Sequence, residues 1–119
     1  MTRIFIVDDE PSYRDSLELI LSYEDYEVRT AADGVTALEA AVVFLPHILI
    51  VDWMLRGQMN GLGVAKTLLQ SNPDLRTIVI TGYATPQLVA QIERIKGAEM
   101  LAKPFGVDEI LAAVESIVG

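Results

Sequence analysis

Apolar positions along the chain fall into two habits: short unbroken runs, and repeats spaced three and four residues apart. One such run, Ile48-Leu49-Ile50-Val51, leads straight into Asp52. Bounded by Pro46 and a glycine-bearing loop, it predicts a parallel strand buried on both faces, since a strand covered on one side would alternate. Residues 3–7 form a similar run that ends in Asp8-Asp9-Glu10-Pro11. Residues 27–31 alternate and predict a more modest strand, while 76–81 and 99–102 predict a fourth and a fifth. Helical spacing fills the gaps. Pro11 suits a first turn, and Tyr13, Leu17, Ile20 and Leu21 follow it. Asp33 caps a helix opened by Gly34, with Val35, Leu38 and Val42 on one face. After a loop at 56–61, Leu62, Ala65, Leu68 and Leu69 mark a third helix that Asn72-Pro73 stops. Thr85 and Pro86 start a fourth, carrying Leu88, Ile92 and Ile95, with Gly97 placed to end it in a left-handed turn. Val107, Ile110, Leu111, Val114 and Ile117 define the last.

Strand then helix, five times over with short connections, predicts an α/β fold: a doubly wound five-stranded parallel sheet with helices on both faces. Residues 1–119 are expected to form a single domain, either a whole small protein or a piece excised from a longer one. Composition narrows the partners. The absence of cysteine excludes disulfides and thiolate metal sites and fits a reducing cytoplasm. The apolar run at the N-terminus is too short for a signal peptide, and no stretch reaches the roughly 18 apolar residues of a membrane span. A formal net charge of −8 argues against direct contact with nucleic acid. A DNA-binding partner or fused domain outside these residues remains compatible with it.

The informative polar residues all follow apolar strands: Asp8 and Asp9 the first, Asp52 the third, Thr81 the fourth, Lys103 the fifth. Taken singly each has a bland reading, as helix-start acids, a backbone-bonded hydroxyl or a solvated lysine. In a doubly wound sheet of order 2-1-3-4-5 these ends would converge beside the switch point between the first and third strands. Carboxylates gathered there raise one another's pKa unless a cation is present. Hard oxygen donors without His or Cys suit Mg²⁺. With Lys103 as an ammonium and Thr81 as a hydroxyl, the set is suited to a phosphoryl group, and a carboxylate can serve as the nucleophile.

Ile6-Val7-Asp8-Asp9-Glu10-Pro11, Ala32-Asp33-Gly34, Pro46 through Asp52, Thr81 and Lys103-Pro104-Phe105 together resemble a response-regulator receiver domain over the whole chain. The resemblance implies a flavodoxin-like (βα)5 fold of order 2-1-3-4-5 and a phosphorylation-dependent switch in two-component signalling rather than an enzyme. It implies Asp52 as phosphoacceptor from a sensor histidine kinase or phosphotransfer protein. Asp9, Asp52 and the Met54 carbonyl would bind Mg²⁺, with Asp8 acting through water, and Thr81 and Lys103 would hold phosphoryl oxygens. It further implies a cis bond at Lys103-Pro104 and a face for homodimers formed by the fourth helix, last strand and fifth helix.

The sequence departs from the family pattern in four places. Gly61 lies nine residues after Asp52 where eight is usual, and Arg56 replaces a common proline. Gly82 replaces a usual alanine after Thr81. Met100 stands where the family's switching aromatic normally sits, so the resemblance makes Met100 the switch position, with Tyr83, on the loop after Thr81, as the alternative source of the aromatic. Two other readings compete: a pseudo-receiver that only binds partners, and a phosphatase of the haloacid-dehalogenase type. The latter needs a second acid two residues after the nucleophile, where this chain has Met54.

Overall fold

The computed structural model describes residues 1–119 apart from 56 and 58. The elements run β1 (Arg3–Val7), α1 (Pro11–Tyr23), β2 (Glu27–Ala31), α2 (Gly34–Phe44), β3 (Ile48–Asp52), α3 (Gly61–Ser71), β4 (Arg76–Thr81), α4 (Pro86–Glu93), β5 (Ala98–Ala102) and α5 (Val107–Val118). All four strand pairings are parallel, in the order β2-β1-β3-β4-β5, as the sequence predicts. The register sets Val7 beside Val51, Asp52 beside Ile80 and Thr81 beside Ala102, so the carboxyl ends finish nearly level. That shared edge is where the site forms.

Because the three central strands are covered on both sides, successive residues of one strand serve different cores. Phe5, Val7, Leu49, Val51 and Val79 pack with α2, α3 and α4. Ile4, Ile6, Ile48, Ile50, Ile78 and Ile80 pack with Leu17 and Leu21 of α1 and Ile110 and Val114 of α5. This two-sided burial is why the strands read as unbroken apolar runs.

Capping follows the sequence in two helices. Asp33 accepts from the Thr36 amide at 2.8 Å, and Thr85 from the Leu88 amide at 3.1 Å. Asn60, unassigned in the sequence reading, caps α3 by accepting from the Gly63 amide at 2.9 Å.

Three expectations are corrected. The buried face of α2 is Gly34, Ala37 and Ala41 with Leu38 partly covered, whereas Val35 is 50% exposed and Val42 73%. Small residues face the sheet there because they let the helix approach it closely, and the bulkier valines lie outside. Helix α4 ends at Glu93, and Gly97 (φ 72°) instead forms the left-handed turn into β5. A Cβ on Gly97 would stand 3.1 Å from the Leu75 carbonyl oxygen, so glycine is needed for proximity as well as conformation. Strand β5 begins at Ala98, one residue earlier than predicted. The substitution of Arg56 for a common proline falls outside the described residues.

Candidate functional site

The site is assembled where β1, β3, β4 and β5 give way to loops. Asp52 ends β3 and is 5% exposed. Its Oδ1 accepts from the Met54 amide at 3.0 Å, and its Oδ2 accepts from Lys103 Nζ at 3.0 Å. One carboxylate oxygen is thus fixed by backbone and the other by an ammonium. The loop after β3 returns tightly: the Gly61 amide donates to the Trp53 carbonyl at 3.0 Å. A Cβ on Gly61 would lie 2.3 Å from the Asp52 carbonyl oxygen, so only glycine permits this return. The longer spacing from Asp52 to Gly61 therefore still delivers a glycine to the end of β3.

Lys103 directly follows β5 and is joined to Pro104 by a cis bond. Its amide donates to the Thr81 carbonyl at 2.7 Å. Its ammonium lies 2.9 Å from Glu10 Oε1, 3.0 Å from Asp52 Oδ2 and 3.3 Å from Asp8 Oδ2, and 4.1 Å from the centroid of the Tyr13 ring. Burial alone would lower the lysine pKa, but hydrogen bonds to Glu10 and Asp52 and the charges of Asp8 and Asp52 outweigh it and hold it above the ordinary range. Lys103 is a firm cation here.

Asp8 is fully buried at the end of β1. Burial pushes its carboxyl above the usual range, against the Glu10 amide (2.9 Å to Oδ1) and the Lys103 charge, and Asp52 adds to the rise. Asp8 Oδ2 has no hydrogen-bond partner. Three carboxylates, Asp8, Glu10 and Asp52, place ligand oxygens within 4.8 Å of one another. A buried carboxylate oxygen that makes no hydrogen bond and only an ion pair with Lys103, beside two more and with no sulfur or imidazole donor in the group, fits a hard divalent cation such as Mg²⁺. Asp9 is half-buried and lines the same open cleft with Glu10, Asp52, Trp53, Met54, Asn60, Gly82 and Lys103, without belonging to that tight trio.

Thr81 is buried at the end of β4. Its hydroxyl donates to the Tyr83 carbonyl at 3.1 Å and accepts from the Tyr83 amide at 3.0 Å. The local bond considered for Thr81 in isolation is therefore the one it makes. Met100 lies on β5 opposite Val79, half-buried against the core under α4, and Tyr83 is 76% exposed.

Glu10 was the residue that sequence reasoning missed. It stood inside Asp8-Asp9-Glu10-Pro11, but as the residue before a helix-initiating proline it carried no signal distinguishing a site acid from a helix-start acid.

Comparison with known proteins points one way. The family model described as "Response regulator receiver domain" matches residues 4–115. Response regulator MprA of Mycobacterium ulcerans is 34% identical over 120 aligned positions, covering 97% of this chain and 49% of that protein. The chain thus spans about half the length of the MprA relatives it matches. Sporulation initiation phosphotransferase F of Bacillus subtilis is 29% identical, covering 95% of this chain and 90% of its own. Among solved structures, the receiver domain of NtrX from Brucella abortus superposes with a TM-score of 0.89 at 30% identity, covering 97% of both chains. Chemotaxis protein CheY4 of Vibrio cholerae gives 0.90 at 25% identity, covering 98% of both.

Proposed function

Since the chain belongs to the response regulator receiver domain family, a module of two-component signalling, we propose that it is a switch driven by phosphorylation of Asp52. The observation that carries this reading is the convergence on one buried carboxylate of a backbone amide, an ammonium and two further acids. In the reaction, an Asp52 carboxylate oxygen attacks the phosphorus of a phosphohistidine on a sensor kinase or phosphotransfer protein. An O–P bond forms as the N–P bond breaks, and the imidazole leaves with the electron pair and takes a proton. Lys103 stands beside Oδ2 to balance charge on phosphoryl oxygens, and Thr81 would reach them on giving up its bonds to Tyr83. Asp9, Asp52 and the Met54 carbonyl would hold Mg²⁺, with Asp8 acting through water. When bound, the ion would supply neutralisation of the charge gathered on the phosphoryl oxygens. The chain is in this reading a signalling module and not an enzyme with a separate substrate.

The haloacid-dehalogenase alternative finds no support, because Met54 contributes only backbone to Asp52 and the family match spans residues 4–115. The pseudo-receiver reading is tested directly. Incubation with a small phosphodonor and Mg²⁺ should raise the intact mass by one phosphoryl group, in a hydroxylamine-labile form that Asp52→Ala abolishes. A label that survives Asp52→Ala, or none on the folded native protein, rejects the proposal.

A further inference from the structure

Lys103 has more acceptors than its three protons can serve equally. Its ammonium faces Glu10 at 2.9 Å, Asp52 at 3.0 Å, Asp8 at 3.3 Å and the Tyr13 ring at 4.1 Å, and an ammonium has three N–H donors. A phosphoryl group on Asp52 would bring about two negative charges and three acceptor oxygens, all seeking the same cation. One of the present partners must give way. Asp8 is fully buried and tied to the Glu10 amide, so it has nowhere to go. Asp52 is the attachment point itself, and Tyr13 offers only a ring face. Glu10 differs from all of these, since its side chain is 51% exposed and can turn into water.

The fold does not need the Glu10 carboxylate. Glu10 occupies the N-cap position of α1, yet its side chain makes no capping hydrogen bond, and it is its backbone that bonds Asp8 and Arg14. The side chain instead reaches back to Lys103 across 93 residues of sequence.

We propose that Glu10 is a built-in competitor of the phosphoryl group for Lys103, and so sets how readily the site accepts and retains one. In the unphosphorylated protein its carboxylate occupies the ammonium and places a negative charge at the mouth of the cleft. Phosphorylation must displace it. Neutralising Glu10 removes both the lost contact and the repulsion, and the anion-bound state gains. This rests on the phosphoacceptor reading of Asp52, and the test separates the two.

The experiment titrates beryllium fluoride, a phosphoryl mimic, into native, Glu10→Gln and Asp52→Asn proteins at fixed Mg²⁺, reading the fluorescence of Trp53 in the cleft wall. Glu10→Gln should bind the mimic about fivefold more tightly than native, a gain that shrinks in high salt because the acid is half-exposed. Asp52→Asn should not bind it. Equal or weaker binding by Glu10→Gln, with native binding intact, overturns the proposal. So does a Mg²⁺ affinity that Glu10→Gln lowers as far as Asp9→Ala does, since Glu10 would then be serving the metal. A folded native protein that ignores the mimic overturns the Asp52 reading and this inference with it.

Discussion

Asp8 is the residue whose present state is least comfortable. It is fully buried, its carboxyl is held above the ordinary range chiefly by desolvation, and Oδ2 lacks a hydrogen bond. A raised carboxyl pKa means that the folded chain holds this proton where the unfolded chain has released it. The cost is absent below the ordinary value of 3.8 and fully present once the pH exceeds the raised one. At neutral pH Asp8 therefore opposes folding even with Lys103 at 3.3 Å, unless a metal ion adds to that lysine's charge. Asp8→Asn keeps an oxygen for the Glu10 amide and removes the charge, so it should raise the metal-free Tm by about 4 °C, the equivalent of roughly 1 kcal/mol. The same change should flatten the gain in Tm on adding Mg²⁺. Calorimetry with and without Mg²⁺ checks both halves, and a metal-free variant less stable than native would refute the account. At this scale the sequence was informative about residue type and position but not about partners. Asp8, Asp52, Thr81 and Lys103 all stand at strand ends as predicted. A backbone bond was foreseeable for a strand-end threonine, but that Tyr83 is its partner, and that Glu10 reaches Lys103, depends on rotamers and loop paths with no trace in spacing.

Elements were legible where burial left a periodic record. The central strands, buried on both faces, had to be continuous apolar runs, and their C-terminal polar residues then located the site. Helix α2 misled because alanine and glycine carry little hydrophobic weight in a pattern, although Ala37 and Ala41 are the residues that meet the sheet. Close approach of backbone is likewise invisible to periodicity, and two glycines beside the site show the contrast. Gly61 opens α3 directly against the end of β3, where a Cβ would sit 2.3 Å from the Asp52 carbonyl oxygen and 2.7 Å from Trp53 Cα. Gly82 has nothing within 4 Å of its would-be Cβ. Gly61→Ala should therefore cost about 1–3 kcal/mol by forcing strand and helix apart, and slow phosphorylation by displacing Asp52. Gly82→Ala should change stability by about 0.5 kcal/mol or less. Urea midpoints for the two variants give the comparison; similar losses in both would mean that the approach of α3 to β3 is not the constraint.

Across the whole molecule, a chemical event at the strand ends has to reach a surface that a partner can read. In the proposed switch, the resemblance to receivers places that surface on α4, β5 and α5, and the connection to it would run through Thr81. Both hydroxyl bonds of Thr81 go to the backbone of Tyr83, in the loop that leads to α4. Moving the hydroxyl toward a phosphoryl group would break both, and the loop would rearrange with it. What it could transmit would then depend on Met100, which packs under α4 with Leu88, Ile92 and Ile95 of the same core. Methionine is unbranched and fills an irregular space in several rotamers. It has no hydroxyl with which to mark one position by a hydrogen bond, as a tyrosine could. Occupying the site shifts the equilibrium only by the difference it makes between the two arrangements, and an adaptable side chain makes that difference small. The predicted result is a modest, graded response of the α4-β5-α5 face to a phosphoryl mimic. Backbone chemical shifts on adding beryllium fluoride should change strongly at Thr81 to Tyr83 and weakly across that face. Met100→Tyr should enlarge the changes on the face. If instead Tyr83 supplies the missing aromatic, Tyr83→Ala should abolish what the native protein shows. Native shifts across the face as large as those of Met100→Tyr, retained in Tyr83→Ala, would mean that the signal leaves the site by a route that neither residue controls.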